Sequence, residues 1–512
     1  MKFIELLMAG TVAFSLAGGC TDPVKNEGEN PGDQQEEQQP LPPAEENDVT
    51  AYITKADKSK LFQKETFAFG KPGSMSPAQI RYDKSKTSFE VQGFGTAITT
   101  ASGYNLLKMQ PEDRKALLEE TFSKEKVGSS LIRVSIGASD FCISDEFTWC
   151  DKPGMQNFAI HPEDQKYLIP VLKEIYAINP DVQIIASPWS CPRWMKGTVA
   201  NPNLPYNSWT SGRLMPSHYE DYAEYFVKWI QTMEKEGFHI YAVTIQNEPL
   251  NKGNSISLYM PWEDEAAFVK VLGPAFKKAG LKTKILVFDH NYNYDNKSGQ
   301  EEYPLHIYND PEASKWVAGA AWHNYGGDVS ELDNIISKAP DKENYFTEAS
   351  IGTWCYDKNG VVGGNFGNVL MSDFKSIIWG TLKRGARGVT YWNFMLDDRR
   401  GPHSKHPGAC TTCYGAVAIS SIDYKTIVKN SQWYNMAHAS AVIKPGAKLI
   451  ETSGLEQTAD FIYAMYLNPD NTIGVMFCND SDTDQPVVFS NKKFTVRYTI
   501  PSNSLVSLIW QE

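Results

Sequence analysis

The sequence predicts a (β/α)8 barrel that carries a side antiparallel β-domain built from both ends of the chain. Three observations lead there. Eight short β-rich runs alternate with helical segments in one block from residue 89 to 443, the order of elements that closes a parallel sheet on itself. Polar and aromatic residues crowd the C-terminal end of nearly every run, as they do where eight strand ends share one mouth; a doubly wound sheet, the rival architecture, would not gather them so. The flanks, 49–88 and 444–512, read differently. Short alternating stretches there (DFIYAMYLN, TIGVMFCND, QPVVFS, FTVRYTI, SLVSLIW) are broken by Pro, Asn, Asp and Gly, as in a small β-domain.

In chain order the runs are VQGFGTAIT (91–99), SLIRVSIG (130–137), VQIIASPW (182–189), YAVTIQNEP (241–249), KILVFDHN (284–291), VAGAAWHNY (317–325), ENYFTEAS (343–350) and GVTYWNF (388–394). PEDQKYLIPVLKEIYAI follows the second, HYEDYAEYFVKWIQTMEKEG the third, and GNVLMSDFKSIIWGTLKRGA precedes the eighth. Apolar residues in these segments recur at spacings of three and four, and two of them carry acids in the first turn, so they are expected to be helices. No internal repeat and no phosphate-cradling Gly loop is present.

Ahead of this body, residues 1–19 predict an export signal: Lys2, an apolar stretch from Ile4 to Leu16, then Ala17-Gly18-Gly19 before Cys20. The apolar stretch is too short to span a bilayer. A Cys behind small residues resembles the lipobox of bacterial lipoproteins, which implies a lipid on Cys20; an ordinary cleaved signal is the other reading. Residues 20–48 are rich in Pro, Gln and Glu and nearly free of apolar side chains, so they are expected to be a solvated tether. Nine acids stand there against Lys25, a charge of −8 within the chain's −12. An acidic stretch in this place is similar to the surface-export signal of Bacteroidetes lipoproteins, which implies the outer face of an outer membrane. The remaining body carries no basic footprint, which excludes nucleic acid as a partner.

Among the seven other cysteines, Cys142/Cys150 and Cys410/Cys413 are the candidate bridges of an oxidising compartment, and Cys191, Cys355 and Cys478 the candidate buried thiols. The spacing His403-x2-His406-x3-Cys410-x2-Cys413 also admits a zinc site, the lesser reading, because exported Cys pairs oxidise.

The chemistry is expected at two strand ends. Glu248 closes the fourth run and Glu348 the seventh, three positions apart around a barrel, so that they can face across the mouth. Glycoside hydrolysis needs such a pair, one group to protonate the leaving oxygen and one to attack the anomeric carbon or activate water. An Asn-Glu-Pro after the fourth strand with a second Glu after the seventh resembles the clan of retaining glycosidases built on this barrel. More narrowly, QGFGTAIT, IRVSIGASDF, IASPWSCPRWMK, TIQNEP, AWHNYGG, FTEASIG, YWNF and WYNMAHASAVIKPGAKLI resemble glycoside hydrolase family 30, over nearly everything from residue 89 onward. That family likewise joins its barrel to a side β-domain made from both chain ends.

The resemblance implies Glu248 as general acid/base and Glu348 as nucleophile, with carboxyls about 5–5.5 Å apart. It implies that Asn247 bonds the sugar 2-hydroxyl, that Arg133 holds Glu348 ionised, and that Asp140 clasps outer hydroxyls of the terminal glucose. His323 and Tyr325, two apart on the sixth strand, are expected to point the same way, Tyr325 bonding Glu348 and His323 lining the same wall. Trp189 and Trp392 are expected as sugar platforms, whereas Trp194, Trp209 and Trp379 read as core and Arg399 and Arg400 as solvated. The reading is a retaining endo-β-1,6-glucanase, monomeric, acting on a β-glucan polysaccharide without cofactor or metal, since a pocket gripping one glucose suits a kinked β-1,6 chain. A β-glucosidase, glucosylceramidase-like or xylan-directed member of the family is one alternative; a non-catalytic glycan-binding lipoprotein is another.

Overall fold

The computed structural model describes residues 48–71, 78–143, 145–355, 365–491 and 493–512. Cys20, the export signal and residues 20–47 of the expected tether lie outside them.

All eight runs are barrel strands: Gly93–Thr96, Leu131–Ser135, Gln183–Ser187, Ile240–Thr244, Lys284–Asn291, Gly319–His323, Glu343–Glu348 and Ala386–Tyr391. They pair in parallel around the sheet. The ring closes between the first and second strands, where Ala97 bridges Arg133 and the Ile98 N–H donates to Arg133 O at 2.8 Å. Glycine makes this seam possible. A Cβ on Gly95 would lie 1.9 Å from the Leu131 carbonyl oxygen, so only a residue without one lets the two backbones approach.

Period-two alternation along each strand stacks the inward side chains in layers. The lower layer is apolar, a separate cluster of Leu131, Ile185, Ala242, Leu286, Ala321 and Tyr345. Two residues further along the same strands come Arg133, Ser187, Thr244, His323 and Thr347, all buried. The fifth strand joins that polar layer through a bulge between Phe288 and His290. There Phe288 and Asp289 take positive φ (75° and 63°), which turns the Asp289 carboxylate inward; bulges re-aim side chains in this way. Outside the strands, helix Tyr219–Lys235 buries Tyr222, Phe226, Trp229 and Met233 on one stripe, the spacing read from the sequence.

The chain ends form a nine-stranded sheet in the order Gln63–Phe67, Val49–Lys55, Ser504–Gln511, Thr472–Asn479, Phe461–Leu467, Ala447–Ser453, Gln79–Val91, Gln485–Ser490, Thr495–Ile500. One pairing departs from the antiparallel expectation. Gln79–Val91 is long enough (13 residues) to run antiparallel to Ala447–Ser453 over most of its length and parallel to Val488-Phe489 at its start. Helix Ser431–Val442 is buried almost all round between barrel and sheet. Its His438 is hydrogen-bonded to Ser507 and Thr54, both at 2.9 Å, so one imidazole ties together both chain ends.

Candidate active site

At the C-terminal mouth lies a cavity of about 320 Å³, lined among others by Asp140, Trp189, Glu248, Tyr325, Glu348 and Trp392. Six of the nine expected site residues therefore meet in one place. The other three, Arg133, Asn247 and His323, stand behind its wall, at most 3 % exposed.

Backbone geometry aims Glu248. The strand ends at Thr244, and Glu248 then adopts φ 45°, a left-handed conformation that costs a bulky residue about 1–2 kcal/mol. Two hydrogen bonds hold it: Asn247 N–H to Pro188 O at 2.8 Å and Glu248 N–H to Asp289 O at 3.0 Å. Glu348 ends the seventh strand directly. Among the described residues, one atom each of Glu248, His323 and Glu348 lie within 4.8 Å of one another. An oxygen of each carboxylate is thus close enough to the other for the about 5–5.5 Å arrangement of retaining enzymes.

Arg133 organises the floor. Its guanidinium donates to Glu348, to Asn247 Oδ1 at 2.7 Å and to Asp289 Oδ2 at 2.7 Å, and its Nε to Ser187 Oγ at 3.3 Å. Because Asn247 Oδ1 takes Arg133, its amide nitrogen is the end left to donate. Asp289 is the residue that sequence reasoning missed. It also accepts from Thr244, Ser187, Thr347 and His323, and against the upward push of burial Arg133 and His323 hold it well below the usual carboxylate range. The DHN at the end of the fifth run was the available signal, but alternation alone does not reveal a bulge.

The two carboxylates are held unequally. Burial lifts Glu348 above its ordinary value in spite of His323 and Arg133, with repulsion from Glu248 and Asp289 adding to the lift. Burial acts upward on Glu248 too, but His323 (Nδ1 to Oε1, 3.3 Å), His290 and Asn251 prevail and hold it at about 2. Tyr325 donates its hydroxyl to Glu348 Oε1 at 3.1 Å, as expected, although it lies past the end of the sixth strand rather than on it. Asp140 is pushed up to about 8, chiefly by burial and then by Glu348; its Oδ2 accepts the Cys410 N–H at 3.2 Å.

Several expectations are corrected. Trp189 and Trp392 stack on one another (centroids 4.9 Å apart, 28° between planes) and are 2 % and 3 % exposed, so they give the cavity a rim rather than two open platforms. The exposed aromatics of the cavity are Tyr325, 42 % exposed, and Trp354, 53 % exposed, the latter on a turn the run pattern did not mark. Cys142 and Cys150 are not joined; the Cys150 thiol turns toward the carbonyls of Lys152 and Gly154 in its own loop. Cys410 and Cys413 form a disulfide that lines the cavity, which removes both thiolates from the zinc spacing. Cys191 and Cys478 are buried, Cys355 only half-buried. Trp194, Trp209 and Trp379 pack at the edge of the core. Arg399 is exposed, and Arg400 bonds Thr411 O at 2.8 Å.

A closed (β/α)8 barrel with a close carboxylate pair at its mouth, one just after the fourth strand and one ending the seventh, defines the class of retaining glycosidases. The comparisons carry this further. Residues 91–443 match the glycosyl hydrolase family 30 TIM-barrel domain and residues 446–508 its beta sandwich domain. The chain belongs to glycosyl hydrolase family 30. The solved structure of the endo-beta1,6-glucanase BT3312 is similar at 45 % identity and a TM-score of 0.86, over 91 % of this chain and all of that one. Curated relatives include an endo-1,6-beta-D-glucanase of Trichoderma harzianum (BGN16.3; 30 % identity over 81 % of this chain and 83 % of that one). Another is endo-1,6-beta-D-glucanase neg1 of Aspergillus fumigatus (29 % identity; 83 % and 86 %).

Two shifts in the site have one sign for stability. His323, raised from 6.5 to about 9 against burial by Glu348 and Asp289, contributes stability that is complete below its unfolded value and lost as pH rises through 9. Asp140 binds its proton more tightly folded than unfolded, so stability also falls as pH rises from 3.8 toward 8. Melting temperature is expected to fall steadily from pH 5 to 9 by calorimetry, with Asp140→Asn flattening the part below pH 8. An Asp140→Asn curve parallel to wild type throughout would contradict the assignment.

Proposed function

We propose that this protein is a retaining endo-β-1,6-glucanase that cuts β-1,6-glucan to short gluco-oligosaccharides. The observation that carries the reading is the Glu248/Glu348 pair, each with an oxygen within 4.8 Å of the other, in a barrel 45 % identical to a structure bearing that activity in its name. A covalent glycosyl-enzyme forms on Glu348 while Glu248 protonates the leaving oxygen; Glu248 then deprotonates the water that hydrolyses the ester. Arg133 and Tyr325 steady the nucleophile, and Asn247 meets the sugar ring. No step calls on a cofactor. Early digests of pustulan are expected to show a ladder of short oligosaccharides, and β-1,4-glucan no products. Glucose alone at early times would refute endo action, and faster cleavage of xylan the specificity.

The same proposal places the enzyme on a membrane surface through a lipid at Cys20, which suits a polymer too large to import. Its support is the run Ala17-Gly18-Gly19-Cys20 followed by the acidic stretch. Cys20→Ala is expected to move the protein from the membrane fraction to the soluble one; unchanged membrane association would rule the anchor out.

A further inference from the structure

Three hydrogen bonds hold Glu248. Its Oε1 faces buried His323. Its Oε2 accepts two amide donors, Asn251 Nδ2 and Asn254 Nδ2, each at 2.9 Å. The Asn251 amide cannot be the other way round, because its Oδ1 accepts the Gly253 N–H at 2.8 Å and the nitrogen end must then face the carboxylate. A carboxylate oxygen offers two lone pairs, and the two amides use both. Oε2 so bonded has no direction left for a proton. Oε1 is turned to a histidine with no exposure, whereas both asparagines that hold Oε2 line the cavity together with Glu248. A group that must deliver a proton is thus hydrogen-bonded in the form that has none.

We propose that Asn251 and Asn254 are the recognition site for the departing sugar, whose hydroxyls draw at least one amide off Glu248 Oε2 and so free that oxygen to carry a proton. The acid is then armed by a hydroxyl-rich leaving group and by nothing smaller. Solvent supplies the proton to Oε2, which passes it to the glycosidic oxygen as the C1–O bond breaks and Glu348 bonds C1. Water later adds to C1, gives a proton to Glu248 and releases the Glu348 carboxylate; Glu248 returns that proton to solvent as the amides close on Oε2 again, so the cycle balances. This deepens the glucanase reading and rests on it for the identity of the sugar. Asn251 and Asn254 are positioning residues for Glu248. Their substitution leaves unchanged the titratable groups that face it: His290, His323, Glu348, Asp140 and Tyr325.

The alkaline limb of kcat/KM reports the acid in the free enzyme and that of kcat the acid in the complex, so the two limbs test the idea directly. With β-1,6-gluco-oligosaccharides, the wild-type kcat limb is expected at least one pH unit above the kcat/KM limb. With methyl β-glucoside, whose poor leaving group still needs protonation but which places no sugar on the leaving side, the two limbs are expected to coincide. Asn254→Ala should raise the kcat/KM limb to meet the kcat limb and raise KM at least fivefold for the oligosaccharide, and by a clearly smaller factor for methyl β-glucoside; Asn254→Gln should restore much of the difference. An unmoved limb in Asn254→Ala, or an equal rise in KM on both substrates, overturns the proposal. Should that variant fail to fold, coinciding wild-type limbs on the oligosaccharide overturn it without any substitution. If β-1,6-gluco-oligosaccharides are not cleaved at all, the substrate reading falls instead, and the limb comparison is made on the disaccharide that is.

Discussion

Glu348→Gln is expected to remove hydrolysis of every substrate alike, by roughly 10⁴-fold or more, since no covalent intermediate can form without the carboxylate. The loss does not depend on the leaving group, because the missing bond is the one to the anomeric carbon. The fold should survive. Glutamine keeps the shape of the side chain; its one carbonyl oxygen can still accept from Arg133, while its NH2 replaces the oxygen that faces Tyr325, whose hydroxyl can turn to accept from it. Arg133 also keeps its 2.7 Å bond to Asp289. Rates on pustulan and on an aryl glucoside, with circular dichroism as the control for folding, decide the matter. Residual activity within tenfold of wild type would mean another group attacks. A folded wild type that binds glucan and never cuts it would instead favour the non-catalytic alternative.

Glu248→Ala should divide the substrates. Natural glucan needs its leaving oxygen protonated, and loss of a general acid costs about 10²–10⁴-fold. An aryl glycoside with a good leaving group needs little protonation, so formation of its glycosyl-enzyme should be nearly normal and breakdown should become limiting. Added azide, which attacks without a base, should then restore turnover and give a β-glycosyl azide. Equal losses on both substrates, with no rescue, would show that Glu248 is not the acid/base.

Much of this site was legible before any coordinates. Glu348 ends the seventh strand and Glu248 follows the fourth by one short turn; the C-terminal ends of barrel strands share one mouth, so sequence order alone brought them together. Arg133, Asp140 and Tyr325 followed from motif. What escaped was whatever depends on local departures from regular backbone. Asp289 reaches the site through a bulge, which period-two counting steps over. Asn251 and Asn254 sit in a loop after the acid, where spacing says nothing about direction. Trp189 and Trp392 are visible in sequence as candidate sugar platforms, but their stacking on one another is not. The pairing of Cys142 with Cys150 failed for a related reason: nearness along the chain does not aim two thiols at one another.

The strand Val49–Lys55 lies between Gln63–Phe67 and Ser504–Gln511. The first strand of the folded body therefore waits for the last one to be made. A chain synthesised or threaded from its N-terminus can complete the eight-stranded barrel while this partner is still absent, but not the nine-stranded sheet. Closure of so long a loop is slow and exposes an unpaired strand edge in the interval. A chain interrupted before Ser504 would keep both catalytic carboxylates yet leave Val49–Lys55 and Thr472–Asn479 without the strand they share, opening the side sheet along two edges.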